Sequence, residues 1–400
     1  MSKEPGHPTA VEDVDVFAPE TIVNWYPTYQ LLQDEAPVYH VPGTQTYFLT
    51  RYEDIVEVLR RTDVFRRGSG NARHLLKDDE ARGLYEREGW PKVLPLGFDP
   101  PEHRCYRDLV DHFFSVGGAE AQRLLIERLT NELIDDWIDA GEVDFMAQFA
   151  TPLPARVIAT MMGLPLDELP QLKRWSAAWV SPYSGQLTPD EEREAAAQMV
   201  DFQHYLHDHI EDRRANPSDD VISYLTHTPV KLPDGERPLT DGEIINMVDH
   251  LFIGGNETTT FALTSGMWLL VQRPEVEAEL RADAHRIRRF VDEVLRLESP
   301  TQGMDRHTIE DTKIGGVAVP KGAHIHMRYA AANRDPRQYG CPADIDLERP
   351  NGYRHLAFSL GESHCPGAGL SRLEQTIAWG ALLDRLENIA FAAGNEFTHF

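Results

Sequence analysis

The sequence predicts a mainly α protein with a minor β component, and three observations carry that expectation. Apolar residues recur at helical spacing through most of the stretch from Pro101 to about Arg214. One run from Thr240 to about Gln272 keeps helical character without interruption. Strand-like segments are short, confined to Pro37–Thr50 and residues 306–327, and each carries a glycine turn.

Taken in order, Pro37 to Thr50 reads as two short strands around Pro42-Gly43, and Tyr52 to Arg61 as a helix with Ile55, Val56 and Leu59 on one side. Residues 66–97 are rich in Gly, Arg and charge without clean periodicity and read as a long irregular connection. Leu124, Leu125, Leu129, Leu133, Ile134 and Trp137 form an apolar stripe, and Pro152, Pro154, Pro165 and Pro170 punctuate helix ends. Thr240-Asp-Gly-Glu243 is a capping box that opens the long run. Its apolar residues cover more than one face, as in a helix threading a core, and some thirty residues would span about 45 Å. Pro274–Arg281 and Arg286–Leu297 read as two further helices, residues 306–327 as strands around Gly315-Gly316, and Gly369 to Leu386 as a last amphipathic helix.

Composition limits the function. The chain has 400 residues and a net charge of −26, which excludes nucleic acid or an anionic membrane as the main partner. Three cysteines (Cys105, Cys341 and Cys365) cannot build a disulfide framework, and no Cys-x-x-Cys pair marks a zinc or iron–sulfur site. No basic-then-apolar run opens the chain, and no stretch reaches the ~20 apolar residues of a membrane span. A cytoplasmic protein with one domain over residues 1–400 is expected.

The chemistry centres on Cys365, in Phe358-Ser-Leu-Gly361-Glu-Ser-His-Cys365-Pro-Gly367, directly before the last helix. The positive end of a helix and its unpaired amides favour a thiolate there. Gly361 and Gly367 would let backbone approach a flat ligand, and thiolate-ligated heme iron is one use of such a cysteine. The plainer alternative is a buried structural cysteine. Gly254-Gly255-Asn256-Glu257-Thr258-Thr259 interrupts the long helix with two glycines that cost about 1 kcal/mol each and an acid in an apolar stretch. That pattern makes room for a ligand beside a polar pair, or else marks a kink with Thr258 bonded to a preceding carbonyl. Glu293 and Arg296 share a helix face, as do His103 and Arg107, which suit anionic groups. His204, His207 and Asp208 also share a face, with His209 nearby; no ligand from another element is marked, and a solvated helix explains them.

Together these pieces resemble the cytochrome P-450 superfamily, in particular its soluble bacterial members served by a ferredoxin. Phe358, Gly361, Cys365 and Gly367 match the heme-cysteine pattern, while Ser359 replaces a glycine and Ser363 stands where His or Arg normally meets a heme propionate. Gly254, Gly255, Glu257 and Thr258 match the oxygen-handling signature, and Glu293, Arg296 and Arg349 a buried structural network. His103, Arg107 and Arg306 match propionate-binding positions.

The resemblance implies a cytochrome P-450 fold, heme b (iron protoporphyrin IX) ligated by Cys365, and a monomeric monooxygenase with Glu257 and Thr258 as catalytic residues. It implies a small apolar substrate such as a terpenoid, steroid or aromatic compound. It also implies an iron–sulfur electron donor of ferredoxin type with its NAD(P)H-dependent reductase, for which Arg104, Arg354 and Arg372 are candidate docking residues. A peroxide-driven peroxygenase and a non-catalytic heme protein are the alternatives.

Overall fold

The structure, a computed structural model, describes residues 7–67, 76–91 and 95–395. Its longer helices are α1 (Tyr26–Glu35), α2 (Tyr52–Arg60), α3 (Asp79–Glu88), α4 (Glu102–Phe114), α5 (Arg123–Asp135), α6 (Pro152–Met162), α7 (Leu169–Val180), α8 (Pro189–Ala215), α9 (Asp241–Val271), α10 (Pro274–Ala282), α11 (Ile287–Leu297) and α12 (Ala368–Arg385). Among them run the short strands β1 (Val38–His40), β2 (Thr46–Leu49), β3 (Phe65–Arg66), β4 (Val230–Leu232), β5 (Gly235–Arg237), β6 (Met304–Thr308), β7 (Thr312–Ile314), β8 (Val317–Val319) and β9 (His324–Met327). The mainly α character with small sheets is as expected. No helix among the described residues is long and apolar enough to cross a membrane.

The chain divides into two compact units, and both α9 and α12 contribute residues to each. The first comprises the described residues of Met1–Arg66, Phe261–Ala368 and Ala378–Phe400. Its sheet has the order β1-β2-β9-β6-β3, with β2 and β9 parallel and the other pairs antiparallel. Leu49, Ile55, Val58, Leu59, Phe65, Ile325 and Met327 form a core beneath it together with Tyr329 and Leu356. Leu360 packs on the same cluster, so the segment leading to Cys365 is anchored to the sheet by apolar burial.

The second unit, Arg67–Thr260 with Gly369–Ile377, is helical apart from the β4–β5 hairpin. Ring contacts hold three of its helices together: Trp175 of α7 stacks on Phe202 of α8 at 5.3 Å, which meets Phe252 of α9 edge-on at 6.0 Å. Helix α9 begins as its capping box predicts. Glu243 returns a carboxylate oxygen to the Thr240 amide at 2.8 Å, and the Thr240 hydroxyl accepts from the Glu243 amide at 3.3 Å.

Two expectations are corrected. The 66–97 connection is not wholly irregular, since Asp78 caps α3 by accepting from the Ala81 amide. The few apolar residues of α3 hid it: Ala81 is buried with Ala196, and Leu84 and Tyr85 pack against the pair. In α5 the buried face is Ile126, Leu129, Leu133 and Ile134, while Leu124 is 77% exposed; the stripe was drawn one residue off at its start.

Candidate functional site

In the first unit, residues 358–365 form a loop closed by its own backbone. The Cys365 amide donates to the Phe358 carbonyl at 2.9 Å, and the His364 amide to the Gly361 carbonyl at 3.0 Å. Gly361 has φ +63°, which a side chain would strain. Ser359, standing where the resemblance leads one to expect glycine, keeps that backbone shape at φ +57°. Its hydroxyl shares a hydrogen bond with Tyr329 at 3.0 Å. A Cβ on Gly367 would sit 3.8 Å from the Cys365 sulfur, in contact with it. Cys365 is half-buried, outside any disulfide, and one turn ahead of α12. Arg306, buried on β6, donates to the Ser363 hydroxyl at 2.7 Å. Ser363 therefore aims a guanidinium where a longer basic residue was expected.

Behind this loop lies a buried ionic network. Arg296 grips both carboxylate oxygens of Glu293 (2.7 and 2.8 Å) and donates to the carbonyls of Asn333, Pro342 and Asp344, so all five of its N–H groups are used. Arg349 adds bonds of 3.1 and 3.2 Å to Glu293. Asn333 passes the order on, accepting the Leu356 amide at 2.6 Å, and the Leu356 carbonyl in turn accepts from Ser359 at 2.8 Å. The Glu293–Arg296–Arg349 cluster thus holds the root of the cysteine loop.

In the second unit, α9 runs unbroken through Gly254–Thr260. The two glycines do different things. A Cβ on Gly254 would meet nothing within 4 Å, so that side of the helix is open. A Cβ on Gly255 would come within 3.2 Å of Ile158 of α6, so this glycine serves helix packing, and the expectation that both make room for a ligand rests on Gly254 alone. Thr258 donates to the Gly254 carbonyl at 2.7 Å and keeps its oxygen lone pairs as acceptors. Glu257 is held from α7: Lys173 Nζ lies 2.8 Å from its Oε1, and the Ser176 hydroxyl 3.0 Å from the same atom.

On α4, His103 is 3% exposed, and burial, then the nearby Arg67, Arg107 and Arg104, push its pKa down to about 4. It is a neutral hydrogen-bonding group here, with no charge to offer. Arg107 pairs with Asp111 one turn along its own helix, and Arg104 is bonded to Asp108 and Asp111, so much of its charge is answered locally.

Comparison with known proteins settles the family. The cytochrome P-450 family profile matches residues 172–390. The mycinamicin IV hydroxylase/epoxidase of Micromonospora griseorubida is 34% identical over 90% of this chain and 88% of its own. The cyclomarin C epoxidase of Salinispora arenicola is 33% identical, again over 90% and 88%. The chain belongs to the cytochrome P-450 family. Among solved structures, CYP109E1 from Bacillus megaterium in complex with testosterone superimposes with a TM-score of 0.77 at 28% identity, covering 93% of this chain and 94% of that one. This cytochrome P-450 is accordingly a monooxygenase whose cofactor is heme b.

The residues present fit that cofactor. Within the first unit a soft sulfur donor stands before α12 in a loop shaped by positive φ angles, and the buried Arg306 donates to Ser363 of that loop. Sequence reasoning missed Lys173 and Ser176. Lys173 lies 84 residues from the acid it holds, and no local spacing announces such a pair.

Proposed function

We propose that this cytochrome P-450 uses O2 and two electrons to hydroxylate or epoxidise a small apolar organic molecule, with Cys365 as the iron ligand and Glu257 and Thr258 as the catalytic pair. The observation that carries the reading is the opening at Gly254 with Glu257 and Thr258 within the next turn of the same helix. The heme, when bound, supplies the reductive activation of oxygen and its transfer to substrate. The protein's part is to hold and move protons. Thr258 accepts a proton-bearing partner on its oxygen while its own hydrogen stays on the Gly254 carbonyl. Glu257 exchanges protons through the oxygen left free by Lys173 and Ser176. Arg306 holds a propionate from the position that Ser363 sets, and His103 donates an N–H to one. Arg107 joins in when it leaves Asp111. Phe358, Gly361 and Gly367 would shape the loop around the porphyrin, and Gly254 would keep α9 low, while Gly255 serves the packing on Ile158.

The retained Glu257–Thr258 pair favours an oxygenase over a peroxygenase or a passive heme binder. A steroid-like substrate is favoured within the terpenoid, steroid and aromatic classes, since CYP109E1 holds testosterone and the frame is shared. Electrons come from an acidic iron–sulfur protein of ferredoxin type with an NAD(P)H-dependent reductase, and the enzyme works as a cytoplasmic monomer. Arg104, Arg354 and Arg372 are the candidate docking residues.

The test begins with testosterone added to purified holoenzyme, where a shift of the heme absorption towards high spin is expected. Reconstitution with ferredoxin, reductase and NADPH should then give an oxygenated product. Thr258→Ala should keep the heme and the spin shift but release more peroxide per NADPH. Turnover with peroxide alone, and none with O2 and electrons, would reverse the assignment. Cys365→Ala should abolish the thiolate signature of the ferrous–CO spectrum.

A further inference from the structure

The histidines of α8, which the heme reaction leaves unused, separate in the structure. His204 turns to the Glu88 carbonyl at 2.8 Å, and His209 packs on Tyr205. His207 meets carboxylates from two helices. Its Nε2 lies 3.4 Å from Oδ2 of Asp241, the first residue of α9, and 3.9 Å from Oε1 of Glu211, one turn further along α8. One ligand atom from each of these three residues lies within 4.8 Å of the other two.

We propose that His207, Glu211 and Asp241 form a divalent transition-metal site, with zinc as its best occupant, that clamps the end of α8 to the start of α9. One imidazole nitrogen and two carboxylate oxygens are a borderline donor set, which suits Zn2+ better than Ca2+ or Mg2+. Arg214 donates to both Glu211 and Asp241. Two carboxylates against one guanidinium leave a net −1 when the imidazole is neutral, and a cation answers that charge. Arg214 competes with the metal for both carboxylates, and an occupied site displaces it from them. Glu211 lies near the C-terminal end of α8, where the helix dipole also favours positive charge.

The surroundings supply a second observation. The Trp90 ring stacks on His207 with centroids 4.9 Å apart, fixing the imidazole plane. Asp241 and Trp90 also line a cleft of about 500 Å³ with Pro91, Thr240, Gly242 and Glu243. Asn246, fully buried, holds the carbonyls of Pro91 and Gly242 in the cleft wall, while its own Oδ1 has no partner among the described residues.

The experiment is equilibrium dialysis of chelator-treated holoenzyme against zinc chloride, with zinc counted per chain. A single zinc is expected, weakened at least about tenfold by His207→Ala, Glu211→Gln and Asp241→Asn in turn. Arg214→Ala, which removes the competing charge and none of the ligands, should tighten zinc. A second histidine–carboxylate group, Asp305 with His324 and His326, is the control, and His326→Ala should change nothing. Wild-type protein that takes up no zinc, binding that survives His207→Ala, binding lost with His326→Ala, or weaker binding in Arg214→Ala would each overturn the proposal.

Discussion

Ser359 shows how much a single backbone angle matters to the cysteine loop. At φ +57° a non-glycine residue carries about 1 kcal/mol of strain, and its bond to Tyr329 returns a similar amount. Ser359→Gly should therefore leave thermal stability within about 0.5 kcal/mol of the parent, as strain and hydrogen bond vanish together. Ser359→Ala keeps the strain and loses the bond, so it should cost about 1 kcal/mol, read by denaturant unfolding of the holoenzyme. Equal losses in the two variants would show that the angle is not strained. Lys173 calls for a different readout. Lys173→Met leaves Ser176 as the one partner holding Glu257 Oε1 among the described residues. A less firmly held acid should deliver protons less efficiently, so peroxide released per NADPH should rise; unchanged coupling would remove Lys173 from the positioning of that acid. Cys365, Glu257 and Thr258 could be singled out in the sequence as candidates because their chemistry is written in adjacent positions. Lys173 could not, because its meaning depends on α7 lying against α9.

At the scale of elements, legibility followed how strongly a segment states its own period. Helix α9 has its cap, its length and its apolar faces in one run, and its observed bounds, Asp241–Val271, fall where the capping box and periodicity place them. Helix α3 has few apolar residues, and only its packing with Ala196 declares it. Side-chain packing between helices was the least legible layer, and Gly266 illustrates it. In the first unit a Cβ at Gly266 of α9 would lie 2.5 Å from the Trp379 ring of α12, itself fully buried and edge-on to Phe290 of α11. Gly266→Ala gains about 1 kcal/mol of helix propensity but forces the indole to move in a packed core, at a cost of about 1–3 kcal/mol. A net loss of stability is expected. The double variant with Trp379→Phe should recover part of it, measured as a positive coupling in a double-mutant cycle. Strict additivity would show that the ring is not what Gly266 accommodates.

For the molecule as a whole, stability against pH is set by a few buried groups rather than by the −26 surface charge. Burial works against ionised Glu243, yet Arg237, Tyr106 and Thr240 hold its pKa down to about 2. Its contribution is therefore complete above the unfolded value of 4.5 and is lost as pH falls towards 2. His103, lowered from 6.5 to about 4, adds a second term: between those values the unfolded chain binds the extra proton, so stability rises with pH. Glu374 of α12 acts in the opposite direction. It is 2% exposed with one carboxyl oxygen lacking a partner among the described residues, and burial raises it from 4.5 to about 8. Below 4.5 both states are protonated; between 4.5 and 8 only the folded state keeps the proton, so stability falls as pH rises. From 4.5 to 6.5 the Glu374 and His103 slopes oppose one another and the curve should be flat. From 6.5 to 8 Glu374 acts without that opposition, and the decline should reach about 2 kcal/mol. Glu374→Gln copies the protonated shape without the titration, so it should flatten the curve above pH 6.5 and leave the acid limb alone, as read by urea unfolding at half-unit pH steps. A decline that persists in Glu374→Gln would place the alkaline sensitivity on another group.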